Sequence, residues 1–182
     1  EGLFSTLETV QNKLDQPIAL GYSNVGIVEE LGSAVHHLSK GDRVVSNGYH
    51  AEYALASKHL CCKIPDNVDD DTAAFAIIAA IGLQGVRLLQ VELGEKIVVI
   101  GLGLIGILTC QILQANGCEV IGMDNNENAL EKANLLGITT YHSGKISGSD
   151  MFQHVFGGIG ADAVIITASA AAPLTNYAAE IC

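Results

Sequence analysis

The sequence predicts an α/β protein in which a partial, doubly wound parallel sheet follows the remnant of a β domain. Two observations support this fold class. Up to residue 66, short runs of β-branched residues alternate with turn-forming residues. From residue 67 onward, apolar strand-like runs alternate with helical segments, which is the pattern of a parallel sheet with helices on both faces. We therefore expect two domains, 1–66 and 67–182.

Charge and composition argue against several classes of protein. The net charge of −11 disfavours a nucleic acid partner, because a phosphate backbone would be repelled. No apolar run is long enough to cross a bilayer, and the first residues do not resemble a secretory signal. The five cysteines form no C-x-x-C pair, which argues against a disulfide framework. We expect a cytoplasmic protein with neither membrane nor nucleic acid partners.

The β-rich region contains too few strands to close a barrel. Strands are expected at residues 26–31, 43–46, 53–56 and 60–64, and an amphipathic helix is expected over residues 2–14. We interpret this region as part of a β domain whose beginning lies outside the chain.

The second region predicts four parallel strands. They are expected at residues 96–101, 119–124, 138–142 and 161–168, with helices at 73–89, 104–116, 126–136, 149–156 and 171–182. A complete dinucleotide-binding Rossmann sheet has six strands in the order 3-2-1-4-5-6. We therefore interpret the chain as a fragment, in which the fourth strand has an open apolar edge that favours a homo-oligomer.

A glycine motif at the first of these turns predicts a dinucleotide site. Gly101 permits a tight turn, Gly103 lets a pyrophosphate approach the backbone, and Gly106 lets the helix pack closely on the strand. Asp124 ends the next strand, 18 residues after Gly106, near the spacing of about 20 residues expected for an acid that binds the ribose.

Asp124 favours NAD over NADP, because its carboxylate would accept hydrogen bonds from ribose hydroxyls and repel a 2′-phosphate. Asn125 and the residue after it offer no positive charge for that phosphate. Two alternatives remain open: the glycines could simply make a strand–helix turn, and Asp124 could cap the following helix.

Several stretches together resemble the medium-chain dehydrogenase/reductase superfamily, which includes the alcohol and sorbitol dehydrogenases. They are residues 21–42 (GYSNVGIVEELGSAVHHLSKGD), 43–45, 51–53, 63–66 and the glycine loop, in one collinear order. The resemblance implies a GroES-like β domain for the substrate and a Rossmann domain for the cofactor. It also implies that Leu104 and Ile105 lie beneath the dinucleotide and that Thr167 approaches the nicotinamide side.

The stretches LGYSNVG, SNGYHAEY and AAIGLQGVRL most resemble a subgroup in which this unit is fused to a second oxidoreductase domain of the glucose–fructose oxidoreductase type. The chain departs from the zinc members of the superfamily. Where they carry Gly-His-Glu, it has Gly21-Tyr22-Ser23, and residues 76–78 supply no further ligand. We therefore expect no catalytic metal.

Without zinc, an alkoxide needs hydrogen-bond donors or a general acid. Tyr22, Asn47 and His50 are the candidates, and His50 is expected in a loop facing the cleft between the domains. A packing role for Tyr22, a turn at Asn47 and a plain loop histidine at His50 are the structural alternatives.

These observations favour an NAD-dependent, alcohol dehydrogenase-like module that transfers hydride between nicotinamide and an alcohol or carbonyl without catalytic zinc. We do not expect the fragment to be active alone. The alternatives are a zinc-free quinone or enone reductase and a non-catalytic nucleotide-binding or scaffold domain of a larger enzyme.

Overall fold

The computed structural model describes residues 20–169 and 172–182 of the chain. The helix expected over residues 2–14 lies outside the described residues. The chain divides into two units, one ending at Ile77 and the other beginning at Ile78.

The boundary between the units differs from the one expected at 66/67. It lies farther along the chain because the residues after Asp66 pack onto the core of the first unit. Ala73 is buried together with Val45 and Ile64, and Ile77 packs against the same cluster. Arg43 also donates hydrogen bonds to the Asp70 carboxylate and the Val68 carbonyl. A change in composition does not reveal these contacts.

The first unit contains a three-stranded antiparallel sheet of β1 (Asn24–Ile27), β2 (Arg43–Ser46) and β3 (Cys61–Lys63), with β2 in the centre. The strand expected at residues 53–56 is wrong. Tyr53 is 76% exposed and Leu55 is fully exposed, so their side chains have no packed surface that would favour a strand.

The second unit is a four-stranded parallel sheet with helices between its strands. The short helix α1 (Asp70–Ala73) belongs to the first unit, and α2 (Ala76–Leu89) begins there and continues into the second. The further elements of the second unit are β4 (Lys96–Ile100), α3 (Leu104–Ala115), β5 (Glu119–Asp124), α4 (Glu127–Leu135), β6 (Thr139–His142), α5 (Gly148–Asp150) with a π-helical turn (Met151–Val155), β7 (Ala163–Ile166) and α6 (Ala172–Ile181). The strand order is β6-β5-β4-β7. This is the 3-2-1-4 order of a doubly wound sheet, as the sequence predicted.

Alternate residues of β4 point into two separate cores, because side chains alternate across a strand. Ile97 and Val99 pack in one cluster with Leu113 of α3. Val98 and Ile100 pack in the other, which includes buried residues of the π-helical turn and α6. Helices therefore cover both faces of the sheet, which confirms the predicted fold class. Among the described residues, no helix has the length and apolarity needed to span a membrane.

The helix α2 contains a glycine near its middle, Gly82. The helix continues through Gly82, which is buried, because the Thr109 side chain of α3 occupies the space that a Cβ would need. The break in the predicted helix lies between α1 and α2, at residues 74 and 75. Gly82 is thus a close-packing position between two helices.

The outer edge of β7 leads to a prediction about association. Within the described chain, β7 pairs with β4 along one edge and with no strand along the other. Unpaired backbone groups on an edge strand favour pairing with another chain. We expect the average mass measured by light scattering to rise above that of one 19.0 kDa chain as concentration increases. A constant monomer mass at high protein concentration would contradict this expectation.

Candidate functional site

The candidate site lies at the carboxyl edge of the parallel sheet, where β4 turns into α3. Gly101 follows β4 with a φ of +99°, and its N–H donates to the Met123 carbonyl at 2.7 Å. Gly103 is the N-cap residue of α3 and supplies no side-chain cap. The first N–H groups of a helix carry partial positive charge, so this end of α3 is suited to an anion.

Two of the three glycines are required by packing. A Cβ on Gly106 would overlap the Gly101 carbonyl oxygen and lie 2.8 Å from Thr167 Oγ1. A Cβ on Gly101 would lie 2.8 Å from the Ala168 nitrogen. Any larger residue at either position would push α3 or the end of β7 away from β4.

Gly103 differs from the other two glycines. Its φ of −70° is open to any residue, and no atom lies within 4 Å of the position that a Cβ would take. Neither the backbone nor the packing therefore requires glycine at this position. This open space would let a pyrophosphate approach the backbone closely.

Asp124 holds the glycine loop from the neighbouring strand. Its Oδ2 accepts a hydrogen bond from the Leu102 N–H at 2.7 Å, and its Oδ1 accepts from the Asn126 N–H at 2.8 Å. The alternative of a helix cap does not describe this side chain, because the N-cap of α4 is Asn126. The carboxylate thus lies beside the loop, as a ribose-binding acid would.

Thr167 holds the same loop from the other side. Its hydroxyl donates to the Gly101 carbonyl at 2.7 Å, and its N–H donates to the Ile100 carbonyl at 2.8 Å. The resemblance implied a contact with the nicotinamide side for this residue. In the structure, the Thr167 hydroxyl stabilises the loop through its hydrogen bond to the Gly101 carbonyl.

The remaining predicted cofactor residues lie around the loop with differing exposure. Leu104, the first residue of α3, is 52% exposed, and Ile105 is half-buried. Asn125 is exposed in the turn after β5. Their position at the carboxyl edge of the sheet is compatible with dinucleotide contact.

The sequence reasoning missed a charged cluster at this edge, formed by Glu127, His142 and Lys145. The Lys145 ammonium contacts Glu127 Oε1, and His142 Nε2 lies 3.8 Å from the same oxygen. The hydrogen bond and charge of Lys145 hold the pKa of the Glu127 carboxyl below its usual range. No motif signals this cluster, since its members meet only when β6 pairs with β5.

In the first unit, the structure brings His50 to the segment that contains Tyr22. The His50 N–H donates to the Leu20 carbonyl at 2.8 Å, and its imidazole lies directly against Gly21, whose φ is +65°. The His50 side chain is exposed, and Tyr22 is 51% exposed. Both catalytic candidates are therefore accessible, and His50 contacts the residues that immediately precede Tyr22.

Two further polar residues of this region form hydrogen bonds, Asn47 through its backbone and Ser23 through its hydroxyl. The Asn47 N–H donates to the Leu60 carbonyl at 3.1 Å, and the Ser23 hydroxyl donates to the Ala74 carbonyl at 2.6 Å. Ser23 stands where zinc members of the superfamily carry a glutamate, and here it links the start of β1 to the end of α1. In the described residues, no group of three or more His, Cys, Asp or Glu side chains is placed to hold a metal ion.

Two family models match the chain in collinear order. The alcohol dehydrogenase GroES-like domain matches residues 4–66, and the zinc-binding dehydrogenase family matches residues 105–180. The zinc-binding dehydrogenase match covers nearly all of α3 together with β5, β6 and β7. Tyr22 and Ser23 lie in the stretch that the GroES-like domain matches.

Curated relatives and solved structures agree with these matches. The chain is 30% identical to an uncharacterized zinc-type alcohol dehydrogenase-like protein, YdjJ of Escherichia coli, over 86% of the chain and 55% of the relative. It is 30% identical to sorbitol dehydrogenase 2 of Saccharomyces cerevisiae, over 83% and 53% respectively. A mycobacterial protein solved in complex with NADPH matches with a TM-score of 0.68 and 27% identity, over 84% of this chain and 51% of that one.

The chain spans about half the length of the curated relatives it matches. The two family models, the strand order and the glycine loop all agree with the resemblance drawn from the sequence. The chain belongs to the medium-chain dehydrogenase/reductase superfamily.

Proposed function

We propose that the chain is an NAD-dependent oxidoreductase module, alcohol dehydrogenase-like, that works without a catalytic zinc. The observation that carries this proposal is the open backbone at Gly103, which begins a helix without a side-chain cap and lies beside the Asp124 carboxylate. When bound, the dinucleotide supplies the hydride that is exchanged with an alcohol or carbonyl carbon. The substrate is a small molecule of that class.

The chain's own residues hold the cofactor in this proposal. The glycine loop and the first N–H groups of α3 bind the pyrophosphate, and Leu104, Ile105, Asn125 and Thr167 surround it. Asp124 binds the adenosine ribose. Its carboxylate accepts two backbone hydrogen bonds, and a carboxylate has about four acceptor sites, so capacity remains for ribose hydroxyls.

His50 and Tyr22 are the proposed catalytic residues. An imidazole changes its protonation state near neutral pH, so His50 is suited to carry the proton that an alcohol gives up or a carbonyl takes on. Tyr22, which follows the residues that His50 contacts, supplies a hydroxyl that can orient the substrate oxygen. Both side chains are accessible to solvent, as contact with a substrate requires.

A second candidate is a module that binds nucleotide without turnover. The hydrogen bond from Ser23 to the Ala74 carbonyl favours it, because this residue is committed to structure at a position where zinc relatives carry a functional side chain. NADH binding without hydride transfer by the full-length protein, with every candidate substrate class, would select this alternative.

Asp124 predicts that NADH binds more tightly than NADPH. A carboxylate at the ribose repels a 2′-phosphate, so we expect a preference of about tenfold or more, or roughly 1.4 kcal/mol. Asp124→Asn removes the charge and keeps an oxygen acceptor, and it should narrow the preference. Isothermal titration calorimetry with both cofactors measures these affinities, and equal affinities in the unsubstituted chain would defeat the assignment.

Substitution by alanine should have different effects at Gly106 and at Gly103: it should lower stability at the first and NADH affinity at the second. Gly106→Ala overlaps the Gly101 carbonyl and should lower the free energy of unfolding by about 1–3 kcal/mol. Gly103→Ala meets open space, so stability should change by no more than about 1 kcal/mol. NADH affinity should nevertheless fall about tenfold, since the methyl group occupies the approach of the pyrophosphate. Denaturant unfolding and calorimetry test the pair; unchanged NADH binding by Gly103→Ala would count against the loop.

The Thr167 hydroxyl predicts a difference between two conservative variants. Thr167→Val keeps the shape but leaves the Gly101 carbonyl without its hydroxyl partner, at a cost of about 1 kcal/mol in loop stability. NADH affinity should fall about fivefold. Thr167→Ser keeps the donor and should bind NADH within about twofold of the unsubstituted chain. A larger loss of NADH affinity in Thr167→Ser than in Thr167→Val would show that the methyl group, and not the hydroxyl, matters.

A further inference from the structure

The ion pair between Lys145 and Glu127 lies next to the proposed ribose site. Glu127 is the first residue of α4, three residues beyond Asp124, and Lys145 follows the end of β6. Both side chains are about two-thirds exposed, at 66% for Glu127 and 67% for Lys145. Neither belongs to the core, so the pair is free to interact with a ligand at this edge.

The pairing of the strands places this ion pair at the end of β5. His142 is the register partner of Asp124, and the Ser143 N–H donates to the Asp124 carbonyl at 2.9 Å. The Lys145 N–H then donates to the His142 carbonyl at 2.9 Å, which closes a tight turn. The Lys145 side chain reaches from this turn to the first turn of α4, and both turns border the residues that follow Asp124.

We propose that Glu127 is a specificity-determining residue, which withholds the Lys145 ammonium from a 2′-phosphate and so helps to keep the site selective for NAD. This inference rests on the proposed function. A lysine on a flexible stem binds phosphate readily as a point charge. With Glu127 in place, a 2′-phosphate must compete with a carboxylate for Lys145 while Asp124 also repels it.

The magnitude of the effect follows from exposure. Exposed ion pairs are weak and open readily, so Glu127 reduces the availability of Lys145 without abolishing it. We expect Glu127→Gln to raise NADPH affinity about three- to tenfold. NADH affinity should stay within about twofold, because NADH carries no phosphate at the 2′ position. High salt should reduce the gain by screening exposed charges.

A double-mutant cycle separates the release of Lys145 from a simple loss of negative charge. The test uses this chain with Glu127→Gln, Lys145→Met and the double variant, at pH 8, where histidine side chains are generally neutral. NADH affinity is measured by calorimetry, and NADPH affinity by competition against bound NADH. Glu131→Gln is the matched control, since Glu131 is exposed on the same helix and forms no ion pair within the described residues. It should change NADPH affinity by less than about twofold.

The inference is supported when Glu127→Gln gains NADPH affinity and most of that gain disappears in the Lys145→Met background. It is overturned when Glu127→Gln leaves NADPH affinity unchanged, when the gain is equally large without Lys145, or when Glu131→Gln produces the same gain. Failure of the unsubstituted chain to bind NADH is a different result, because it defeats the proposed function and removes the site on which the inference rests.

Discussion

The close approach of α3 to the end of β4 is the contact on which the candidate site depends. It is possible because Gly106 has no Cβ, so the helix can lie against the Gly101 carbonyl. This approach fixes the first turn of α3 at the carboxyl edge of the sheet. The site therefore combines the N-terminus of α3 and the open backbone of Gly103 with the ends of β5 and β7, the strands on either side of β4. A side chain at residue 106 would separate them.

The glycine loop is held from both sides by strands that are distant in the sequence. Asp124 accepts a hydrogen bond from the Leu102 N–H, and Thr167 donates to the Gly101 carbonyl. These two contacts satisfy one donor and one acceptor of the turn, which is costly to leave unpaired in a half-buried place. The loop is therefore ordered before any ligand arrives, so ligand binding does not carry the entropic cost of ordering it. The central position of β4 in the sheet makes this bracing possible.

Local patterns were sufficient to predict most of the fold. The alternation of strands and helices, the glycine motif and the acid at the end of β5 each depend on a few adjacent residues, and the strand order follows from the topology of doubly wound sheets. The differences arose where tertiary contacts decide the structure. Residues 53–56 form no strand, because the exposed Tyr53 and Leu55 have no surface to pack against. The division into two units after Ile77 follows the packing of Ala73 and Ile77, which a sequence pattern does not show. The pairing of Lys145 with Glu127 has no local signal, because only the alignment of β6 with β5 brings the two together.

Asp124 has two roles in this arrangement, and that limits how selectivity can change. Its carboxylate supports the glycine loop through Leu102 and, in the proposed function, binds the ribose. A substitution there alters the charge at the ribose together with at least one of the two backbone hydrogen bonds, since even asparagine keeps only one oxygen acceptor. Among the described residues Glu127 forms no hydrogen bond with the loop backbone, and its polar partners are the exposed Lys145 and the nearby His142. In the proposed site, a change at Glu127 can therefore alter the charge that the protein presents near the 2′ position of the adenosine ribose, while the loop that binds the pyrophosphate keeps its geometry. The net charge of −11 also repels NADPH more than NADH, because NADPH carries an additional phosphate, but only a nearby residue such as Glu127 acts at the position of that phosphate.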